Sequence, residues 1–198
     1  MWNQDNLKNI DVLGANLECI KDGFAAFTLL ASRILLDERL GVEGKDGMVT
    51  FEKNRWYSLN QFLRAFERIG KEFGVYTLKQ AGMSIPKNAV FPPTVVDIDS
   101  GIRSIDVAYH MNHGTRGVAL FSPDTGEMRE GIGHYGYERI PNKKLIVSRC
   151  DGPYPCAFDE GILTAMAQRF ETSATVVHSP NGCRSRGAES CAYNITWR

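Results

Sequence analysis

A change of period at about residue 113 constrains this sequence more than any other feature. Before it, apolar residues recur at three- and four-residue spacing; after it, they alternate or run in short β-branched stretches. Residues 15–40, ANLECIKDGFAAFTLLASRILLDERL, read as a helix, and GVEGKDG (41–47) reads as a loop. Trp56, Leu59, Phe62, Leu63, Phe66 and Ile69 form one apolar face of a second helix. A third, from Gly74 to Met83, is stopped by IPKNAVFPP (85–93), where prolines restrict themselves and their predecessors. A fourth spans about Val95 to His113, with Val96, Ile98, Ile102, Ile105 and Tyr109 on one side.

The remainder has a different texture. RGVALFSPDTGEMREGIGHY reads as two strands reversing at Asp-Thr-Gly. KLIVSRC (144–150), SATVVHS (173–179) and SCAYNITW (190–197) are strand-like. Between the first two, Cys156 opens a helix bearing Phe158, Ile162, Leu163, Met166 and Phe170. Helices first, then an antiparallel sheet with one inserted helix, predict an α+β fold with N-terminal helices packed on a C-terminal sheet. The 198 residues fit one domain, with a helical part over 1–94 and an α+β part over 95–198.

Lys and Arg (23) balance Asp and Glu (23), which gives no global footprint for nucleic acid or acidic membranes. No apolar run is long enough to span a bilayer. The opening MWNQDNLKNID lacks a basic, then apolar, leader pattern, which predicts a cytoplasmic chain with reduced cysteines. Residues 15–40 carry more apolar surface than one helix face needs, which predicts a homodimer.

Four of the five cysteines, Cys150, Cys156, Cys183 and Cys191, fall in the last 49 residues, while Cys19 reads as a buried small hydrophobe. Cys150 and Cys156 flank a proline-rich turn, and Cys183 and Cys191 flank the base of the loop CRSRGAESC. If adjacent strands bring these ends together, three or four thiolates meet with His178 nearby, a set suited to tetrahedral zinc. Reduced structural thiols and a catalytic thiol are the alternatives that spacing leaves open.

DGPYPCAFDEGILTAMAQRF, a strand, and then GCRSRGAESCAYNITW resemble the 4-vinyl-reductase domain, a ligand-binding module of aromatic-sensing bacterial activators and of a bacteriochlorophyll-synthesis protein. Cys156, Cys183, Gly187 and Cys191 match its pattern, over about residues 95–198. The resemblance implies a zinc held by the three cysteines. It also implies a glutamate just before the second of them, but Pro180, Asn181 and Gly182 stand there, so Cys150 or His178 would complete the site. It further implies a fold shared with heme-based nitric oxide sensors and vesicle-tethering subunits, an apolar pocket between helices and sheet, and dimerisation through helices.

His110 and His113, three residues apart near a helix end, suit metal chelation, a heme ligand, or simple capping beside Gly114. The heme sensors' Tyr-x-Ser-x-Arg motif is absent, which argues against heme. GIGHYGY (131–137) sets His134 and Tyr135 between glycines on a strand, either as an irregular edge or as polar handles on a pocket. His110, His134 and Tyr135 are therefore the candidate ligand-binding residues. Arg184 and Arg186 read as a solvated loop tip. No phosphate-loop, nucleophile-elbow or zincin motif is present.

These features predict a non-catalytic sensor or binding domain for a small apolar or aromatic molecule, braced by a zinc-type cysteine cluster and signalling through a protein partner. The alternative is an enzyme or accessory protein acting on a tetrapyrrole or other hydrophobic substrate. It would need an external reductant, for which the sequence carries no nicotinamide or flavin fingerprint.

Overall fold

The computed structural model describes residues 7–198; residues 1–6, part of the opening segment read above for a leader, lie outside the described residues. In chain order the elements are β1 (Ile10–Leu13), α1 (Gly14–Asp22), α2 (Thr28–Asp37), β2 (Val42–Glu43), β3 (Val49–Thr50), β4 (Trp56–Ser58), α3 (Leu59–Phe73), α4 (Val75–Asn88) and α5 (Ile98–Met111). Then come β5 (His113–Thr115), β6 (Val118–Ala119), β7 (Glu138–Arg139), β8 (Leu145–Cys150), α6 (Cys156–Phe170), β9 (Thr175–His178) and β10 (Cys191–Thr196). The fold is α+β, and every strand pair is antiparallel.

Besides the small β2–β3 pair, two four-stranded sheets frame the helices. One has the order β4-β1-β5-β6, the other β7-β8-β10-β9. The first adds strands to the mainly helical N-terminal part: Val12 pairs with Tyr57 and with His113, so three strands distant in sequence meet. Trp56 accordingly lies in β4, not in the helix that follows. The expected long helix over 15–40 is two helices joined by a short turn, with Ala25 at a φ of 51°. The break falls where Gly23 meets α4: a Cβ on Gly23 would stand 2.5 Å from the Ala81 Cα. Helix α4 runs past Pro86 to Asn88 instead of ending at Met83. Residues 131–137 are not a regular strand; Tyr135 makes a single bridge to Cys150.

Local chemistry sets the other boundaries. The Ser58 hydroxyl accepts from the Gln61 N–H at the start of α3. Asp97 and Ser100 form a capping box at the start of α5, which therefore begins at Ile98. On α3, Leu59, Phe62, Phe66 and Ile69 are buried, the face expected from their spacing. Helix α6 is buried on nearly every side, from Phe158 through Ala167, and packs against α4, α5, β9 and β10. One cluster of buried side chains extends from Leu7 to Ile195. No described helix is long and apolar enough to cross a membrane.

The α4–α6 crossing is a contact of backbones. A Cβ on Gly82 would lie 2.2 Å from the Phe158 carbonyl oxygen, and one on Gly161 would lie 2.1 Å from that of Lys79. Neither position admits alanine unless the helices part. Gly161→Ala is expected to lower unfolding stability by ~3 kcal/mol, the upper end for overpacking. Adding Gly82→Ala should then cost less than it does alone, since the helices have already separated. Urea titration of the two single variants and the double variant checks both expectations.

Candidate functional site

Helix α6 carries one side of an apolar cavity of about 290 Å³. Phe158, Ile162 and Met166 face Ile105, Ala108 and Tyr109 of α5 and Ile85 and Pro86 at the end of α4; Cys19 and Asn16 of α1, with His113, Tyr135 and Tyr154, complete much of the wall. Of the three candidate ligand residues, Tyr135 lines this cavity and His110 and His134 do not. His113, which the sequence offered as a helix cap, lies on the wall as the first residue of β5.

The histidine and tyrosines of the wall are already bonded. His113 Nδ1 donates to the Tyr109 carbonyl at 2.7 Å, which leaves Nε2 to accept from the Tyr154 hydroxyl at 2.7 Å. Burial pushes the His113 pKa down to about 4, against a weaker raising effect of the Tyr109 carbonyl. The Tyr109 hydroxyl donates to the Ile132 carbonyl at 3.0 Å. The Tyr135 hydroxyl donates to Asp159 Oδ1 at 2.5 Å. Burial pushes Asp159 up to about 6, while Arg184 and Tyr135 pull the other way, so the carboxylate is ionised at neutral pH.

Asp159 leads from the cavity to the cysteines. Its second oxygen accepts from Arg184 Nη2, and the Arg184 side chain is only 11% exposed. The loop-tip reading of Arg184 is corrected on this point: a buried carboxylate requires a buried partner. Arg186 does stay at the surface and donates to the Pro180 carbonyl.

Around Arg184 the chain turns in a short 3-10 segment and reverses at Gly187, whose φ of 91° is the left-handed region where glycine carries no steric penalty. The turn brings Cys183 beside Cys191, and Cys156 meets both from the first turn of α6. The Sγ separations are 3.5 Å (Cys156–Cys183), 3.4 Å (Cys156–Cys191) and 3.9 Å (Cys183–Cys191). Sulfurs at two corners of a zinc tetrahedron lie ~3.8 Å apart for metal–sulfur bonds of ~2.3 Å. His178 joins them: one ligand atom from each of the four residues lies within 4.8 Å of the others. Its ring stacks on Tyr193, its Nε2 is buried without a hydrogen-bond partner, and burial holds its pKa down.

Cys150 is not in that group. It pairs across the sheet with Cys191, and its sulfur faces the Ser148 hydroxyl at 3.8 Å. Burial raises the Cys156 thiol to about 12, helped by the two facing sulfurs. Burial also opposes ionisation of Cys183, but the Ser185 hydroxyl and the neighbouring sulfurs outweigh it and bring that thiol down to about 7. His110 and His134 come together elsewhere, beside Asp106 at the far end of the same helix from Asp97.

No protein-family model matches this sequence, and no curated protein does. Solved structures do. An H-NOX protein from S. oneidensis in the Fe(II)NO ligation state is 18% identical over 94% of this chain and 99% of its own, with a TM-score of 0.63. The H-NOX domain from Shewanella oneidensis in the Fe(II)CO state is 17% identical over 94% and 98%, with a TM-score of 0.61. A third, reported for modulation of heme redox potential through protein-induced porphyrin distortion, is 10% identical over 93% and 97%, with a TM-score of 0.57. These likenesses show that the chain has the H-NOX fold, one of the folds its sequence resemblance implied.

They also overturn the argument against heme. A missing Tyr-x-Ser-x-Arg motif does not set heme aside when the fold is that of proteins solved in iron ligation states and of one studied for its heme potential. A heme held here would need an axial donor and partners for its propionates. The histidine on the cavity wall is His113, whose two ring nitrogens are engaged by Tyr109 and Tyr154. Among the described residues, the cavity wall includes no lysine or arginine. For His113 Nε2 to reach an iron, the Tyr154 hydroxyl would have to move off it.

The buried imidazole has a consequence in solution. The folded pKa of His113, about 4, lies below its ordinary 6.5, so the unfolded chain takes up the proton first and the stability present above pH 6.5 is lost as pH falls toward 4. Between pH 7 and pH 5 the loss amounts to ~2 kcal/mol. Asp159 acts in the opposite direction over much of that window, its folded pKa lying above the ordinary 3.8. The contribution of His113 is therefore read as the difference between wild type and His113→Gln. Urea denaturation at pH 7 and pH 5 should show the wild type losing ~2 kcal/mol more than the variant.

Proposed function

We propose that this chain is a non-catalytic small-molecule sensor domain of the 4-vinyl-reductase type, working as a single unit over residues 1–198. Its cavity takes a compact apolar or aromatic ligand, and a zinc ion held by Cys156, Cys183, Cys191 and His178 braces the loop beside it. The observation that carries this reading is the continuous chain Tyr135–Asp159–Arg184, which joins the cavity wall to the cysteine loop through two charge-assisted bonds. A ligand that competes for the Tyr135 hydroxyl changes what Asp159 and Arg184 bond. A metal that fixes Cys183 and Cys191 fixes Arg184, whose backbone N–H and Nε both point at the Cys191 sulfur at 3.4 Å.

Zinc supplies structure here, not a reaction: three sulfurs and one imidazole fill a tetrahedron and leave no open position. His178 gains the partner its buried Nε2 lacks. The cavity offers Tyr135, His113 and Tyr154 as hydroxyl and imidazole handles in an otherwise apolar wall, which suits a phenol-sized molecule. With its thiols reduced, the domain belongs in the cytoplasm and reports to a protein partner. Phe27, Leu29 and Leu30 are each 40–45% exposed on the turn and first residues of α2, and they supply an apolar surface for a homodimer.

Native mass spectrometry with elemental analysis should find one zinc per chain, lost in Cys183→Ser. Calorimetry with phenol should show binding that Tyr135→Phe weakens by ~1 kcal/mol, about fivefold. Heme is tested in the same samples: stoichiometric hemin uptake with a Soret band that His113→Ala removes would replace the phenol-sized ligand with heme. Light scattering should report a dimer that Leu29→Lys with Leu30→Lys dissociates; an unchanged mass sinks that surface.

A further inference from the structure

We propose that Asp106, His110 and His134 form a second metal site, for a divalent ion of the zinc, cobalt or nickel kind, beside α5 and apart from the cysteine cluster. A carboxylate oxygen and one ring nitrogen from each histidine lie within 4.8 Å of one another. The sequence places them there for local reasons. Asp106 and His110 are one helical turn apart and share a face of α5. His134 arrives from the opposite direction on GIGHYGY, where Gly131 and Gly133 adopt φ values of 133° and 77° that let the chain fold back over the helix.

The chemistry of His110 carries the inference. Its side chain is fully buried, and Nδ1 donates to the Asp106 backbone carbonyl at 2.8 Å. A carbonyl only accepts, so the proton is on Nδ1 and Nε2 holds a lone pair. That lone pair has no hydrogen-bond partner, although buried polar atoms almost always find one. A backbone carbonyl fixing one ring nitrogen while the other stays basic is the arrangement that supports histidine ligands of metals.

Asp106 is oriented in a similar way. Oδ1 accepts the Tyr135 backbone N–H at 2.8 Å, which leaves Oδ2 turned to His134 Nδ1 at 3.1 Å. The two imidazole rings lie 5.0 Å apart and are inclined by only 34°. Glu130 reaches His134 Nε2 at 2.8 Å and places a further carboxylate at the mouth. His134 is 36% exposed in its side chain, so water can reach the open side of the site. Two imidazoles and one carboxylate with open positions suit borderline first-row ions over calcium or magnesium, which prefer all-oxygen shells. Ligand atoms around such an ion stand ~3.4 Å apart for bonds of ~2.1 Å, so the site must contract by about 1 Å, within reach of the half-exposed His134 ring.

Cobalt separates this site from the thiolates. Cobalt bound to sulfur gives an intense near-ultraviolet charge-transfer band, whereas cobalt on imidazole and carboxylate gives only weak visible bands. Titration of the chelator-stripped full chain should show one equivalent without the sulfur band, in addition to any equivalent that carries it. His134→Ala should abolish the sulfur-free equivalent and leave the sulfur band unchanged, and Asp106→Asn should weaken it by ~10-fold or more. A sulfur-free equivalent that persists in His134→Ala overturns the proposal, and so does its absence from wild type. Because His134 is partly exposed and far from the α4–α6 crossing in sequence, the variant should keep the wild-type circular dichroism; if it does not, His134→Gln replaces it in the same titration. Failure of the cysteine cluster to take metal removes only the sulfur band and leaves this outcome readable.

Discussion

The meeting of two glycines sets the position of everything else. Gly82 and Gly161 let α4 and α6 touch through their backbones, each carbonyl occupying the space of the other's missing Cβ. Close approach brings α6 into the middle of the molecule, where α4, α5 and the second sheet all rest on it. A helix so enclosed is mostly apolar, and the ionisable side chain it buries fully is Asp159, while Glu160 stays partly exposed and pairs with Lys79. A carboxylate in such a position costs several kcal/mol unless it is paired and hydrogen-bonded. Its two partners, Tyr135 and Arg184, are therefore structural necessities first. Any sensing they perform is built on a debt that the fold already had to settle.

The cavity follows from the same crossing. Where α4 and α6 touch there is no room for side chains. Beside the contact, Pro86, Phe158 and Ile162 line a space that is only partly filled. Aromatic rings hold its floor: Tyr154 stacks on Phe158 at 4.9 Å, and Phe66 meets Phe158 edge-on at 5.1 Å. This wall is mostly apolar, and its histidine and tyrosines already hold hydrogen bonds within the protein. A ligand must offer better bonds than the wall makes alone, which is a source of selectivity.

Much of the C-terminal part could be read directly from the sequence, because its signals are local. The α6 boundaries, the strands at 145–150, 175–178 and 191–196, and the convergence of Cys156, Cys183 and Cys191 follow from periodicity, turn residues and the motif that carries the resemblance. What escaped was long-range. Strands β1 and β4 are four and three residues long, too short to show a period, and they exist because β5 pairs with β1 from a hundred residues away. Arg184 looked like a solvated tip because its partner lies 25 residues off on another element. His113 does bond the Tyr109 carbonyl in the last turn of α5, as a cap would, but nothing near it in sequence announces its second bond, to Tyr154. That His178 and not Cys150 lies beside the three cysteines was equally hidden, since Cys150 pairs with Cys191 across the sheet and its sulfur faces Ser148.

Strand order in that sheet bears on the timing of folding. β10 lies between β8 and β9. During synthesis β8, α6 and β9 all leave the ribosome before it does, and neither strand then has a neighbour on its inner edge. Asp159 waits as well, since Arg184 comes just ahead of β10 in the chain. The nascent polypeptide thus holds two open strand edges and a carboxylate without its arginine until β10 emerges, and chaperone contact during that interval would fall on β8 and β9.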